Sequence, residues 1–185
     1  MTAPRLAPLE PPYAPEAAAA IAEVMGSGRD PLVLFKTLAR VPRVLARLRG
    51  GGFLDKGPVS LRHREIAILR TTGRLDCEYE WGVHVAIFGK KAGLSAEEVE
   101  ATVLGGADAP AWKAQGDKLV IRLCDSLVDR HDIDDALWRD LAAEFQEAAL
   151  LELIAIAGNY TGISCLVKAL RLPPEAFAPR FPRVA

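Results

Sequence analysis

The stretch SLRHREIAILRTTGRLDCEYEWGVHVAIFGKKAG, residues 60–93, decides the fold. Ser60 stands where a helix N-cap belongs, and the residues after it place Leu61, Ile68, Leu69 and Thr72 on one face at helical spacing up to Gly73. Asp76 is expected to cap a second helix that runs to about Gly93. Two helices joined by so short a break make a hairpin. No segment shows the strict alternation of a half-buried strand for more than a few residues, so the fold class is all-α.

The hairpin carries polar residues where apolar ones are expected. On a wheel of about 100° per residue, Cys77, Glu80, Trp81, His84 and Phe88 share one face. Burying a carboxylate and an imidazole there without partners costs several kcal/mol, so they must be paired. Helical side chains lean toward the N-terminus, which lets His84 reach back toward Glu80, and Glu80 toward Cys77. Glu65 repeats the anomaly on the preceding helix. It stands about as far before Gly73 as His84 stands after Asp76, so both lie roughly 12 Å from the turn and Glu65 should face His84. Cys77 is expected in the first turn of its helix, where the dipole and free amides lower a thiol pKa while an ionised Glu80 opposes them.

Outward from the hairpin the pattern stays helical. Residues 1–14 read as an extended arm, Pro15 to Met25 as a first helix stopped by Gly26, Ser27 and Gly28, and a second starts near Pro31. Pro42 divides it from a third that ends at Gly50, Gly51 and Gly52. Ser95 with Glu98 forms a capping box, Pro110 opens a long helix through about Arg130, and further helices cover Asp134 to Phe145 and Ala148 to Arg171. Residues 15–172 thus form one domain, followed by a Pro-rich extended tail over 173–185. The most apolar run, Ala148 to Ala157, is interrupted by Glu152 and is too short to span a bilayer, so it reads as a buried core helix.

Charge is balanced, 23 basic against 24 acidic residues, so no global field favours nucleic acid or an acidic membrane surface. Three widely spaced cysteines, Cys77, Cys124 and Cys165, do not form a secreted disulfide framework, which points to reduced cytoplasm. Cys124 and Cys165 read as small buried hydrophobes, and His63 and His131 as solvent-facing. Half the residues are apolar, an excess that a subunit interface would absorb. Cys, Glu and His all bind zinc, but neither a Cys-x-x-Cys nor a His-x-x-x-His pair is present, so no metal and no cofactor is expected.

Arg64-Glu65 and the run Cys77-Glu78-Tyr79-Glu80-Trp81-Gly82-Val83-His84 closely resemble the carboxymuconolactone decarboxylase family, which includes alkyl hydroperoxidase D-like proteins. The resemblance is strongest from Leu61 to Leu104 and extends loosely from Leu32 to Leu172, including Gly158-Asn159-Tyr160. It implies an all-helical bundle that assembles as a trimer or hexamer. In the peroxidase branch the motif is Cys-x-x-Cys-x-x-x-His with an upstream Glu, matched in position by Cys77, His84 and Glu65. Here Glu80 replaces the second cysteine, which removes the redox-active disulfide of that branch. The decarboxylase branch acts on a carboxylated lactone and needs proton transfer, for which a Glu and His pair is suited.

The expected function is a small-molecule enzyme with Glu65, Cys77, Glu80 and His84 as catalytic residues, and Trp81, Phe88, Asn159 and Tyr160 lining the pocket. In that reading His84 and Glu80 move protons on a lactone or carbonyl acid. A single-cysteine peroxidase with Cys77 as its redox thiol is the alternative, and a non-catalytic oligomer with a vestigial pocket is a third. A substrate carboxylate calls for an arginine, and Arg64, Arg70 and Arg74 are near in sequence.

Overall fold

The computed structural model describes residues 3–26, 30–50 and 52–183, and among these every regular element is helical. Residues 1–2 of the arm, Ser27 and Gly28 of the first stop signal, Gly51, and residues 184–185 of the tail lie outside the described residues. The helices are α1 Pro15–Met25, α2 Val33–Leu38, α3 Pro42–Gly50, α4 Leu61–Arg74, α5 Glu78–His84, α6 Ala96–Leu104, α7 Gln115–Arg130, α8 Asp135–Glu144 and α9 Glu147–Leu170.

α4 is the axis of the fold, packed against α5, α6, α7 and α9. Ser60 caps it by accepting from the His63 amide, and Ile66, Ala67, Ile68 and Leu69 bury completely. Ile66, Ala67 and Ile68 share one core with Val120, Ile121 and Leu123 of α7 and Leu153 and Ile156 of α9, each large side chain contributing about 1.5–3 kcal/mol. α6 begins with the reciprocal capping box of Ser95 and Glu98.

α9, Glu147–Leu170, matches the helix expected from about Ala148 to Arg171. Its 24 residues are long and apolar enough to cross a membrane by composition, and 44% of its most apolar window is packed inside the fold. Leu151, 71% exposed, lies on its outer side.

Several local expectations are corrected. Asp76 does not cap α5: it takes a left-handed φ of 53° and closes the turn after α4, and Cys77 occupies the N-cap position instead of the first turn. After His84 the helix loosens into a π-helical turn over Val85–Gly89 and ends before Gly93, whose φ is 69°. Pro110 belongs to a turn ahead of α7, which starts five residues later at Gln115. Cys124 is buried as expected, but Cys165 is exposed on α9. His63 is half-buried, 3.4 Å from Asp117 and edge-on to Phe145.

The chain after α9 does not trail into solvent. It returns across α5, where the Pro179 carbonyl passes so close to Gly82 that a Cβ there would lie 2.5 Å from it.

Candidate active site

α4 and α5 pack with Glu65 and His84 at the same level. Glu65 is fully buried, and its Oε2 lies 2.8 Å from His84 Nδ1. A carboxylate acceptor at Nδ1 assigns the ring proton there and leaves Nε2 as the acceptor. The other oxygen of Glu65 accepts from Arg64 Nε at 2.9 Å. Arg64 also donates through Nη1 to the carbonyls of Phe53 and Leu54, which pins the loop over this end of α4. The buried carboxylate is thereby paired on both oxygens, which offsets its desolvation.

His84 Nε2 points toward Glu80, whose Oε2 is 3.9 Å away. Burial pushes the Glu80 carboxyl up to about 7, with His84 pulling it down and Glu175 adding to the push. Tyr160 of α9 closes the histidine ring edge-on with centroids 5.0 Å apart, and Phe88, half-buried, lies 5.4 Å away. The Arg64 guanidinium sits 5.3 Å above the Phe88 ring. Phe88 is placed at the rim by the π-helical turn.

Cys77 is buried at the other end of the cluster. Burial pushes its thiol up, and the Glu80 amide and the Ser164 hydroxyl pull it down by less. Burial also raises the Tyr160 phenol, as do the charges of Glu80 and Glu65.

The structure therefore gathers Glu65, Glu80, His84, Phe88 and Tyr160 around one imidazole, with Cys77 adjoining Glu80. It does not place Trp81 there. Trp81 turns away from the imidazole, donates to Thr102 Oγ1 at 2.9 Å and meets Phe181 edge-on. It lines a separate shallow groove with Val85, Leu94 and Val99. On the wheel Trp81 stands about 100° from Glu80, at the edge of the shared face, where Thr102 and Phe181 take its side chain instead. Asn159 makes no described contact with the cluster, and its buried Nδ2 has no hydrogen-bond partner.

Of the three nearby arginines only Arg64 belongs to the site. Arg70 pairs with Asp125 and holds the Thr102 and Gly105 carbonyls, and Arg74 pairs with Asp129. Ser164 and Glu175 were not anticipated. Ser164 follows Tyr160 at helical spacing, a usable signal, whereas nothing local marks Glu175. Among the described residues no group of three or more His, Cys, Asp and Glu is arranged to hold a metal ion.

Fold and site together define an all-helical protein of AhpD-like fold that carries a buried carboxylate–imidazole–carboxylate chain. The sequence profile of the carboxymuconolactone decarboxylase family matches residues 39–117, a stretch that contains Glu65, Cys77, Glu80 and His84. No curated protein matches the chain in sequence. Among solved structures, a peroxidase-related protein with an alkylhydroperoxidase AhpD core from Ralstonia eutropha JMP134 superimposes with a TM-score of 0.77 at 16% identity, covering 95% of this chain and 94% of its own. A peroxidase-related protein from Silicibacter sp. TM1040 gives 0.73 at 18% identity, covering 95% and 96%. The debrominase Bmp8 gives 0.67 at 15% identity, covering 93% and 92%.

Proposed function

We propose that the chain is a lyase-type enzyme that moves protons on a carbonyl or lactone substrate bearing a carboxylate, with Glu80 as proton donor and His84 as its exchange partner. The observation that carries this reading is the buried Glu80 carboxyl, up to about 7, facing the Nε2 of a histidine whose other nitrogen is held by Glu65. Such a group still carries its proton near neutrality and can deliver it. In a decarboxylation the bond to the departing carboxylate breaks, and its electron pair moves into the neighbouring carbonyl. Glu80 then protonates the carbon, and His84 returns a proton from solvent to Glu80. Glu65 keeps the imidazole in the tautomer this requires.

A second reading, a single-cysteine peroxidase, draws support from the groups around Cys77 that favour its thiolate, the Glu80 amide, the Ser164 hydroxyl and Lys168. Burial outweighs them, which favours the first reading.

Carbon dioxide release from carboxymuconolactone tests the two. Glu80→Gln and His84→Gln should each lower kcat by about 10²–10⁴-fold, while Cys77→Ser should retain activity within about tenfold. Loss of turnover in Cys77→Ser alone, together with thiol-dependent peroxide consumption and an alkylation midpoint below about 8.5, would establish the peroxidase instead.

A further inference from the structure

α5 is a seven-residue helix, too short to hold its own geometry, and it carries the Cys77, Glu80 and His84 face between two different supports. α4 and α9 cover that face. On the other side α5 touches α6 through Trp81 and α2 through Tyr79, and the C-terminal segment engages four of its positions. Both oxygens of Glu78 are taken, by Arg180 Nη1 at 2.6 Å and the Phe181 amide at 2.9 Å. Trp81 meets the Phe181 ring, and Gly82 admits the Pro179 carbonyl.

Tyr79, which is also buried, makes a further polar contact. Its hydroxyl donates to Glu175 and accepts from the Leu34 amide at 2.9 Å. Glu175 also accepts from the Val33 amide. Val33 and Leu34 open α2, whose N-cap Leu32 offers no side-chain acceptor, so a carboxylate from the far end of the chain fills that role. This fixes Glu175 at a defined place behind the helix that carries Glu80.

We propose that this strap completes the active centre, with Glu175 acting across α5 as an electrostatic positioning residue for Glu80. The titratable and charged groups around Glu80 are Cys77, Tyr79 and His84 along its own segment, Tyr160 of α9 and Glu175 of the strap, with Glu65 of α4 behind His84 and Arg64 paired to Glu65. Arg64 is already committed to Glu65, so Glu175 is the carboxylate on the far side that adds to burial in holding the Glu80 proton. The importance of this tuning rests on the proton-transfer reading above, but its test does not require turnover.

The test follows the side-chain carboxyl carbons of 13C-glutamate-labelled full-length protein by NMR across pH, with Glu80→Gln to assign the signal. Glu175→Gln keeps the acceptors for Tyr79 and Val33 and removes the charge. It should lower the Glu80 midpoint by about half a unit or more. Tyr79→Phe removes the hydroxyl and keeps the charge, and should leave the midpoint raised. If Glu175→Gln leaves the midpoint in place, or if Tyr79→Phe lowers it equally, the strap only packs α5 and the proposal falls. Should Glu175→Gln fail to fold, Glu175→Asp, which withdraws the charge by one methylene, must give a smaller downward shift, and no shift counts against the proposal. An inactive protein whose Glu80 midpoint nonetheless moves as stated would overturn the lyase reading and leave the strap intact.

Discussion

At the scale of single residues, Glu80 links the chemistry to stability. Its carboxyl is raised from 4.5 to about 7 in the folded chain, so between those values the folded state binds more protons than the unfolded one. The stability contributed by this group is therefore fully present below about 4.5 and is lost as pH rises through about 7, a change on the order of 3 kcal/mol. Urea denaturation at pH 5 and pH 8 should show the wild type losing stability over that interval and Glu80→Gln losing much less of it; parallel slopes would remove the basis for Glu80 as acid. Glu65→Gln separates fold from function. A single amide oxygen cannot serve both Arg64 and His84, so folding should weaken by about 1–3 kcal/mol, while turnover falls more than about 100-fold. Nitrogen-15 shifts of the His84 ring should show Nδ1 no longer uniformly protonated, and an unchanged tautomer would clear Glu65 of any orienting role.

At the scale of elements, Gly82→Ala isolates the strap. In an open helix the change stabilises by about 0.5–1 kcal/mol through reduced backbone entropy. At Gly82 the new Cβ would meet the Pro179 carbonyl at 2.5 Å and the Ala178 Cβ at 3.2 Å, so the sign should reverse to a loss of about 1–3 kcal/mol. Thermal melts of the two proteins decide this. The contrast also marks what sequence reading reaches. α4 and α6 were legible because Ser60 and the Ser95–Glu98 pair announce their starts and the apolar period sustains them. The facing of Glu65 and His84 followed from counting residues out from the turn between their helices. Asp76 misled because an aspartate suits both an N-cap and a left-handed turn residue, and tertiary packing chose the second. The π-helical turn and the orientation of Trp81 have no local signature. Glu175 and Pro179 reach α5 from 96 positions beyond Tyr79 and from a comparable distance beyond Gly82, where no periodicity connects them.

At the scale of the whole molecule, large apolar side chains such as Leu151, Leu54 and Trp138 stay exposed, and we propose that self-assembly covers some of them. Light scattering at micromolar concentration should return a trimer or larger mass, and a monomer would leave the apolar excess without a use. Burial has a further consequence for time rather than energy. Glu65, Cys77, Glu80 and His84 are each no more than 6% exposed, so a substrate of the proposed kind reaches them only when the structure opens. Under the proposed function, the frequency of such openings sets a ceiling on turnover that no improvement in the chemistry can raise. A small thiol reagent senses the same gate. The alkylation rate of Cys77 should climb with reagent concentration and then level off at the opening rate, whereas exposed Cys165 should follow reagent concentration in a straight line throughout.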